Sequence, residues 1–398
     1  MKSAIYFVYV WPEPRSSAAG IRTVELFELL QSFGYELTVL SPCRENAASA
    51  ELNAAGIRTI PCAANDSSVE SLLSPLPASI VIYDRFVMEE QFGWKARALW
   101  PQATHVVDTQ DLHAVRRARE RLHEAGRSAT EVLHLENADF SPDLEREMAS
   151  LQRADACFVV SPWEREWLIG QGYPAERVFF LPFSARLEEA PPFSDRRGFA
   201  FLGNFRHPPN LDAVLYLARI LWPKVRAVLP NEKLHLYGAY PPQMISELHG
   251  KNGLCVEGPV TLHRDALRKH RVLLAPLRFG AGIKGKVLEA YACGMAVAGT
   301  AVALEGLGEF GVPEEKFVEK AISLHEQEEA WTQAVRAGRA ALVDFQPESV
   351  REKLEAFLTA AAEQRPAWRA QLVGRMLRHF QHNSTKYFSQ WIEAKNRK

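Results

Sequence analysis

One stretch of the chain concentrates residue types that can do chemistry: residues 278–294, where Gly280, Gly282, Ile283, Lys284, Lys286 and Glu289 fall within ten positions. The apolar run 272–277 before it reads as a buried strand, and the pattern after it reads as a short helix closing at Gly294. Strand, glycine-rich turn and helix in that order place backbone N–H groups and two lysines at a helix N-terminus, where the peptide dipoles favour an anion. The ligand this chemistry suits is a phosphate or diphosphate. Glu289 follows Lys286 by three residues, so the two share a helix face. A carboxylate there could accept hydrogen bonds from sugar hydroxyls, as acids do for ribose in other doubly wound sites. The same spacing also describes a well-packed strand-to-helix corner with a surface Lys/Glu pair, because short glycine patterns recur without a ligand.

A second cluster lies at residues 105–113, a strand whose polar residues gather at its C-terminal end before a basic helix over 113–127. In open α/β sheets the ligand crevice lies at that end of the strands, so Asp108, Asp111 and His113 are candidates for contacts near a reacting centre. Asp111 equally suits an N-cap for the next helix. Near the start of the chain, Gly20 precedes a helix and its backbone could approach a ligand closely, with Arg22 adding a positive charge; Gly20 could equally ease a tight turn. The basic run 116–121 is expected to be a solvated helix face.

These clusters need elements to position them, and 398 residues suit two domains, each with its own core. Hydrophobic residues at 47% and charged residues at 24% describe an ordinary globular chain. A net charge of −1 gives no global pull toward nucleic acid or anionic lipid, so any basic surface is local. The five cysteines are scattered without a Cys-x-x-Cys pair, which leads us to expect reduced thiols in a cytoplasmic setting and neither a zinc site nor a disulfide framework. No apolar run approaches the roughly 18 residues of a spanning helix. The chain opens on a strand-like run, so no signal peptide is expected.

The alternation of strand and helix begins with a strand over 4–11, a helix from about residue 21 to Gly34 and a strand over 36–41. It continues to a strand over 178–181, breaks at the proline- and charge-rich residues 183–198, and restarts with strands over 198–203, 234–238, 254–257, 272–277 and 296–300. The expected fold is α/β, two Rossmann-like domains facing each other across a cleft, spanning 1–185 and 186–346, with C-terminal helices over 347–398.

Taken in order, Ser17-Ala-Ala-Gly-Ile-Arg22, the segment 108–113, the segment 153–161, Phe201-Leu-Gly-Asn-Phe-Arg-His-Pro-Pro-Asn210 and residues 280–300 resemble the GT-B fold glycosyltransferases of the large family 4 group. The resemblance spans about residues 1–345. It implies that the C-terminal half binds a nucleotide-diphosphate sugar donor and the N-terminal half an acceptor, a glycan, a lipid-linked glycan or another hydroxyl compound, with transfer in the cleft and retention of configuration. It implies that Glu289 contacts the ribose, that Gly203 borders the diphosphate, that Gly238 and the segment Glu257-Gly-Pro-Val260 frame the base, and that Gly20 and Asp111 face the diphosphate and the transferred sugar. Two positions depart from the family. Ala281 stands where its first motif glutamate would be, and Asn204 and Arg206 stand where Arg and Lys are usual, so Lys284 and Lys286 become the natural diphosphate ligands.

The mechanism this implies is stabilisation of the leaving diphosphate by fixed cations and helix-terminal N–H groups. Lys286 is then catalytic, and Asp111 or His113 would be the first base candidates in an inverting reaction. No Asp-x-Asp motif implies a metal, no cofactor beyond the donor is implied, and no nucleic-acid partner is expected. An inactive nucleotide-binding scaffold and a nucleotide-sugar epimerase are the competing readings. The final helix is expected to cross back to the N-terminal domain. The basic tail and the aromatics Trp368, Phe380, Tyr387, Phe388 and Trp391 also suit docking to a membrane surface.

Overall fold

Strands covered by helices on both faces need continuous apolar runs rather than alternation, and Ile80–Asp84 and Thr104–Asp108 are buried at every position. A computed structural model describes residues 2–66, 68–136, 139–260, 262–308 and 311–396, without the side chains of His382 and Asn383. In it β1 (Lys2–Phe7), β2 (Tyr35–Ser41), β3 (Arg58–Pro61), β4 (Ile80–Asp84), β5 (Thr104–Asp108), β6 (Ala156–Val159) and β7 (Val178–Phe180) form one seven-stranded sheet in the order β3-β2-β1-β4-β5-β6-β7. The strands β8 (Phe199–Leu202), β9 (Leu234–Tyr237), β10 (Leu254–Gly258), β11 (Val272–Ala275) and β12 (Ala296–Gly299) form a five-stranded sheet in the order β10-β9-β8-β11-β12. Every pairing is parallel. The chain order reverses between β1 and β4 in the first sheet and between β8 and β11 in the second. A crevice opens outside the strand ends at such a reversal.

The first strand is shorter than its apolar run suggests. It stops at Phe7, paired with Leu40 and Tyr83, and Tyr9 and Val10 beyond it are exposed. The proline- and charge-rich residues 183–198, where the alternation breaks, are extended except for a short turn at Phe193–Asp195 and are fastened along their length. Ala185 N donates to Phe345 O (2.7 Å), Glu188 N donates to Ala292 O (3.0 Å), and the buried Arg196 donates to the His270 and Cys293 carbonyls.

The helix Pro347–Ala370 lies on the first sheet. Val350, Leu354, Phe357, Ala361 and Trp368 join the core built from Tyr6, Phe27, Ile82 and Phe158, and the Phe357 ring stands edge-on to Phe158 and Phe179 at 4.7 and 4.9 Å. Arg369 adds an ion pair to Asp155 at 2.8 Å. Trp368, expected at the surface, is therefore buried, because the helix continues through Pro366 and carries it onto Phe179. The last helix, Leu372–Asn396, buries Gln381 and Ser389, while Val373, Met376, Phe380, Tyr387, Phe388 and Trp391 are exposed.

The basic helix His113–Glu124 is not the solvated face its charges suggest. Arg119 is fully buried. Its guanidinium forms a two-pronged ion pair with Glu305 (2.8 and 2.7 Å), donates to the Gly280 carbonyl (2.8 Å) and lies 4.7 Å from the centre of the Trp163 ring. An arginine of the N-terminal half thus grips the glycine-rich turn of the C-terminal half.

Two consequences are measurable. Phe357→Ala is expected to cost about 3–5 kcal/mol, the usual loss for a fully buried ring, and Phe380→Ala on the exposed face no more than about 0.5 kcal/mol; urea unfolding midpoints separate them. Removing one partner of a buried ion pair costs about 3–5 kcal/mol by stranding the other. Glu305→Ala should therefore separate the two halves, seen as a larger radius of gyration in small-angle scattering and a changed Trp163 emission.

Candidate functional site

The two crevices face each other and enclose a cavity of about 540 Å³, within the usual range for small-molecule sites. Its C-terminal wall is the turn after β11 and the helix Gly285–Ala292, whose N-terminus no side chain caps. Lys284 and Lys286 both line the cavity. Lys286 Nζ meets Asn210 Oδ1 at 2.5 Å and stands 4.5 Å from the centre of the Phe201 ring. Lys284 Nζ donates to Gly282 O at 2.7 Å and lies 3.9 Å from Glu305. Burial pushes Lys284 down to about 8, partly opposed by Glu305, and burial with the neighbouring Lys284 charge pushes Lys286 down to about 7. Two ammonium groups with one distant carboxylate between them make this end of the cavity suited to an anion. Glu289 lines the same wall, with one oxygen held by Arg264 Nε at 2.5 Å, and Arg264 also pairs with Glu188 at 2.8 Å.

The strand ends of the C-terminal sheet bring more of the expected residues here. Gly203, Asn204, Arg206, Gly238 and Ile283 line the cavity. Asn204 reaches across to donate to Ser16 O at 3.0 Å, and the Arg206 guanidinium stacks 3.6 Å from the centre of the Tyr240 ring. A Cβ on Gly238 would stand 1.9 Å from Gly203 O, so this glycine serves the contact between neighbouring strand ends. Val260 and Gly282 are not in the cavity wall. Val260 packs on the C-terminal core. Gly282 faces the N-terminal half at φ 63°, where a Cβ would lie 3.0 Å from Asp111 Cβ.

The N-terminal candidates separate more sharply. Gly20 lines the cavity but sits inside the first turn of the helix Ala18–Ser32 rather than before it. Its N–H donates to the Ser17 hydroxyl at 3.0 Å, and a Cβ there would meet Glu13 O at 2.5 Å, so the close approach it permits is to the chain's own loop. Arg22 is outside the cavity, buried in an ion pair with Asp108 and donating to Leu181 O at 2.9 Å. Asp111 is a cavity residue and not an N-cap, since the cap position is Leu112. It lies 3.4 Å from Arg116 Nε; burial opposes its charge, but Arg116, His113, His207 and Arg85 prevail and hold its carboxyl below the usual range. The N-terminus of the helix His113–Glu124 is occupied by other carboxyls: Glu164 accepts from Leu112 N (2.9 Å), and Glu147 from His113 N (3.1 Å) and Ala114 N (2.8 Å). His113 lies behind the wall, edge-on to Phe86, and burial pushes it down to about 3. A neutral imidazole outside the cavity is not placed to act as a base in it.

Sequence reasoning passed over Asp84, Arg85 and Gln110, which also line the cavity. β4 and β5 end in register at Asp84 and Asp108, and the chain then turns at Arg85 (φ 68°) and Gln110 (φ 60°). Left-handed backbone at residues other than glycine costs of order 1–3 kcal/mol and gathers at functional sites. Asp84 Oδ1 and Gln110 Oε1 are buried atoms with no hydrogen-bond partner within distance, burial pushes the Asp84 carboxyl up with Gln110 beside it, and rotation of these side chains toward the cavity would present them to ligand hydroxyls. The available signal was an aspartate closing each of two adjacent apolar strands.

Known proteins agree with this geometry. A family described as "Glycosyl transferase 4-like domain" matches residues 17–183, and one described as "Glycosyl transferases group 1" matches residues 196–337. No curated protein matches by sequence. Among solved structures, sucrose-phosphate synthase from Thermosynechococcus elongatus is similar at a TM-score of 0.67 and 15% identity, over 90% of this chain and 98% of that one. Anabaena HepE in complex with UDP and glucose is similar at a TM-score of 0.63 and 13% identity, over 90% of this chain and 100% of that one, and the same protein in complex with UDP-glucose at 0.64 and 12%, with the same coverage. With two facing parallel sheets, a cavity between their strand ends and family matches in both halves, this chain belongs to the family 4-like, group 1 glycosyltransferases of GT-B fold.

Proposed function

We propose that the chain transfers a sugar from a nucleoside-diphosphate donor to a hydroxyl acceptor, with retention and without a metal. The carrying observation is the Lys284–Lys286 pair in the cavity wall beside an uncapped helix N-terminus. As the bond from the anomeric carbon to the diphosphate oxygen breaks, negative charge grows on the diphosphate. Fixed cations and N–H groups aimed at that charge lower the barrier. The acceptor oxygen bonds to the anomeric carbon, and its proton passes to the departing diphosphate. Glu289 accepts from the ribose hydroxyls, while Asp84 Oδ1 and Gln110 Oε1, on the facing wall, accept from hydroxyls of the transferred sugar or the acceptor. The complexes of HepE with UDP and UDP-glucose support a uridine donor as the first to test.

The exposed side of the last helix supports a lipid-linked acceptor. Val373, Met376, Phe380, Tyr387 and Trp391 recur at helical spacing with Arg375 and Lys395 nearby, a composition that suits the interface of an anionic membrane. No helix among the described residues is long and apolar enough to cross a membrane. With all five cysteines unpaired, we place the protein in the cytoplasm, at the inner face of a membrane. Ala281, in the cavity wall where the family's first motif glutamate is usual, favours the binding-only alternative. Turnover decides: binding of UDP-sugars with no hydrolysis or transfer would leave a scaffold, and interconversion of epimers would leave an epimerase.

Lys286→Ala should weaken UDP binding by about 10–100-fold, the worth of one charge-assisted contact, and abolish slow donor hydrolysis, while Glu289→Ala weakens binding with the far-ultraviolet spectrum unchanged. Because Lys286 titrates at about 7 and Lys284 at about 8 in the free chain, both are partly neutral above those values, and a bound diphosphate favours their charged forms. Binding at pH 8 should therefore take up protons, and affinity should fall as pH rises from about 7, where Lys286 begins to lose its charge, and further beyond about 8 as Lys284 follows. Calorimetry in buffers of different ionisation enthalpy reads this directly, and the uptake should shrink in Lys286→Ala. Vesicles containing anionic lipid should sediment the chain, and Phe380→Ser combined with Trp391→Ser should release it.

A further inference from the structure

The C-terminal sheet carries a second cluster of chemistry-bearing side chains, outside the central cavity. His235 on β9 and Cys255 on β10 are direct partners in the parallel register, so both side chains leave the same face of the sheet. The register then slips: Val256 pairs with Leu236, but the next pair is Gly258 with Tyr237, and Glu257 is the extra residue of the irregularity. Such bulges re-aim side chains. Here the Glu257 carboxylate is brought to 2.7 Å from His235 Nδ1. One ligand atom each from His235, Cys255 and Glu257 lies within 4.8 Å of the others. The three do not line the central cavity.

We propose that His235, Cys255 and Glu257 form a binding site for a thiophilic divalent cation of the zinc type. Imidazole and thiolate together select zinc-like ions over magnesium or calcium, which prefer all-oxygen ligand sets. Bonds of about 2.0–2.3 Å arranged tetrahedrally place donors roughly 3.3–3.8 Å apart. Closing the remaining difference takes rotamer changes at the three side chains, Cys255 and Glu257 on the edge strand β10 and His235 on its neighbour β9. The thiol gives up its proton to solvent on coordination, and three protein ligands leave a fourth position for water.

The packing behind the cluster is fixed. The His235 ring packs against the His270 ring at 4.7 Å. His270 is held in turn by Tyr237 Oη at 2.9 Å and by the Arg197 carbonyl at 3.2 Å. β10 is the edge strand, and the chain beyond β9 and β10 enters the cavity wall at Gly238 and Pro259. A cation here fastens that edge beside the donor end of the cavity, at a distance from the reacting atoms.

Titrating the full chain with cobalt(II) tests this. The expected result is one equivalent bound, with visible bands of a low-coordinate ion and a thiolate-to-cobalt charge-transfer band in the near ultraviolet, all displaced by zinc. Cys255→Ser should remove the charge-transfer band. His235→Ala and Glu257→Gln should each weaken binding by at least the roughly tenfold that even an outer partner costs. Cys43→Ser, at a half-exposed cysteine outside the cluster, should change nothing. Far-ultraviolet spectra confirm that each variant is folded. Absence of the band, its persistence in Cys255→Ser, or binding that is weak, non-saturating and indifferent to all three substitutions, an adventitious ion only, overturns the proposal.

Discussion

Two lysine ammonium groups withdrawn from water at the meeting of two sheets set the terms for the rest of this structure. Burial favours the neutral amine, and both Lys284 and Lys286 are pushed toward it. What keeps them in place is the geometry around them: Asn210 Oδ1 on one, Gly282 O and the more distant Glu305 on the other. This arrangement is poor as a stability device, since buried charges without close partners oppose folding. Under the proposed function it becomes favourable when a doubly charged ligand enters, and binding energy from that ligand is concentrated at the point where charge grows during transfer.

The same turn is also where the halves of the chain are fastened. Gly282 lets the backbone pass within contact distance of Asp111, Arg119 takes the Gly280 carbonyl while pairing with Glu305, and Asn204 reaches Ser16 across the cavity. Tyr240 closes the rim by donating to Glu13 at 3.2 Å. Glu305 therefore has two roles, since it neutralises Arg119 and is the nearest carboxylate to Lys284. Under the proposed function a diphosphate drawn to Lys284 competes with Glu305 for the same positive field, which links the contact between the halves electrostatically to the occupancy of that end of the cavity.

The fold class was legible because its strands are short apolar runs with helices between them, whereas the strand order with its reversals appears only in the structure. The lysine-bearing turn in the cavity wall was legible for a similar reason: glycine, lysine and a following helix are adjacent in the chain. What sequence reading misassigned depends on partners far away along it. Arg22 looks like a free cation beside a loop, but Asp108 lies 86 positions on and takes it into the core. His113 looks like a base at a strand end, but Phe86 and the carboxyls of Glu147 and Glu164 enclose that helix start. Arg119 looks like one more surface arginine, and its partner Glu305 is 186 positions away. Asp84, Arg85 and Gln110 escaped notice because their distinguishing property is backbone conformation, which their residue types do not announce.

The division of labour between the two walls follows from Ala281. In its place a glutamate would put a hydroxyl acceptor on the same turn as the lysines, and the C-terminal half alone could hold both nucleotide and sugar. With a methyl group there, packed against the core of the N-terminal half, that turn offers the sugar no carboxylate. The unpartnered buried acceptors stand on the opposite wall, at Asp84 Oδ1 and Gln110 Oε1. Under the proposed reading, the nucleotide end is complete on one domain, whereas the sugar end is completed only when the halves meet. Closure then does more than exclude water. It supplies the hydroxyl-binding groups, so the contacts of Arg119, Gly282 and Asn204 act on sugar recognition without touching the sugar.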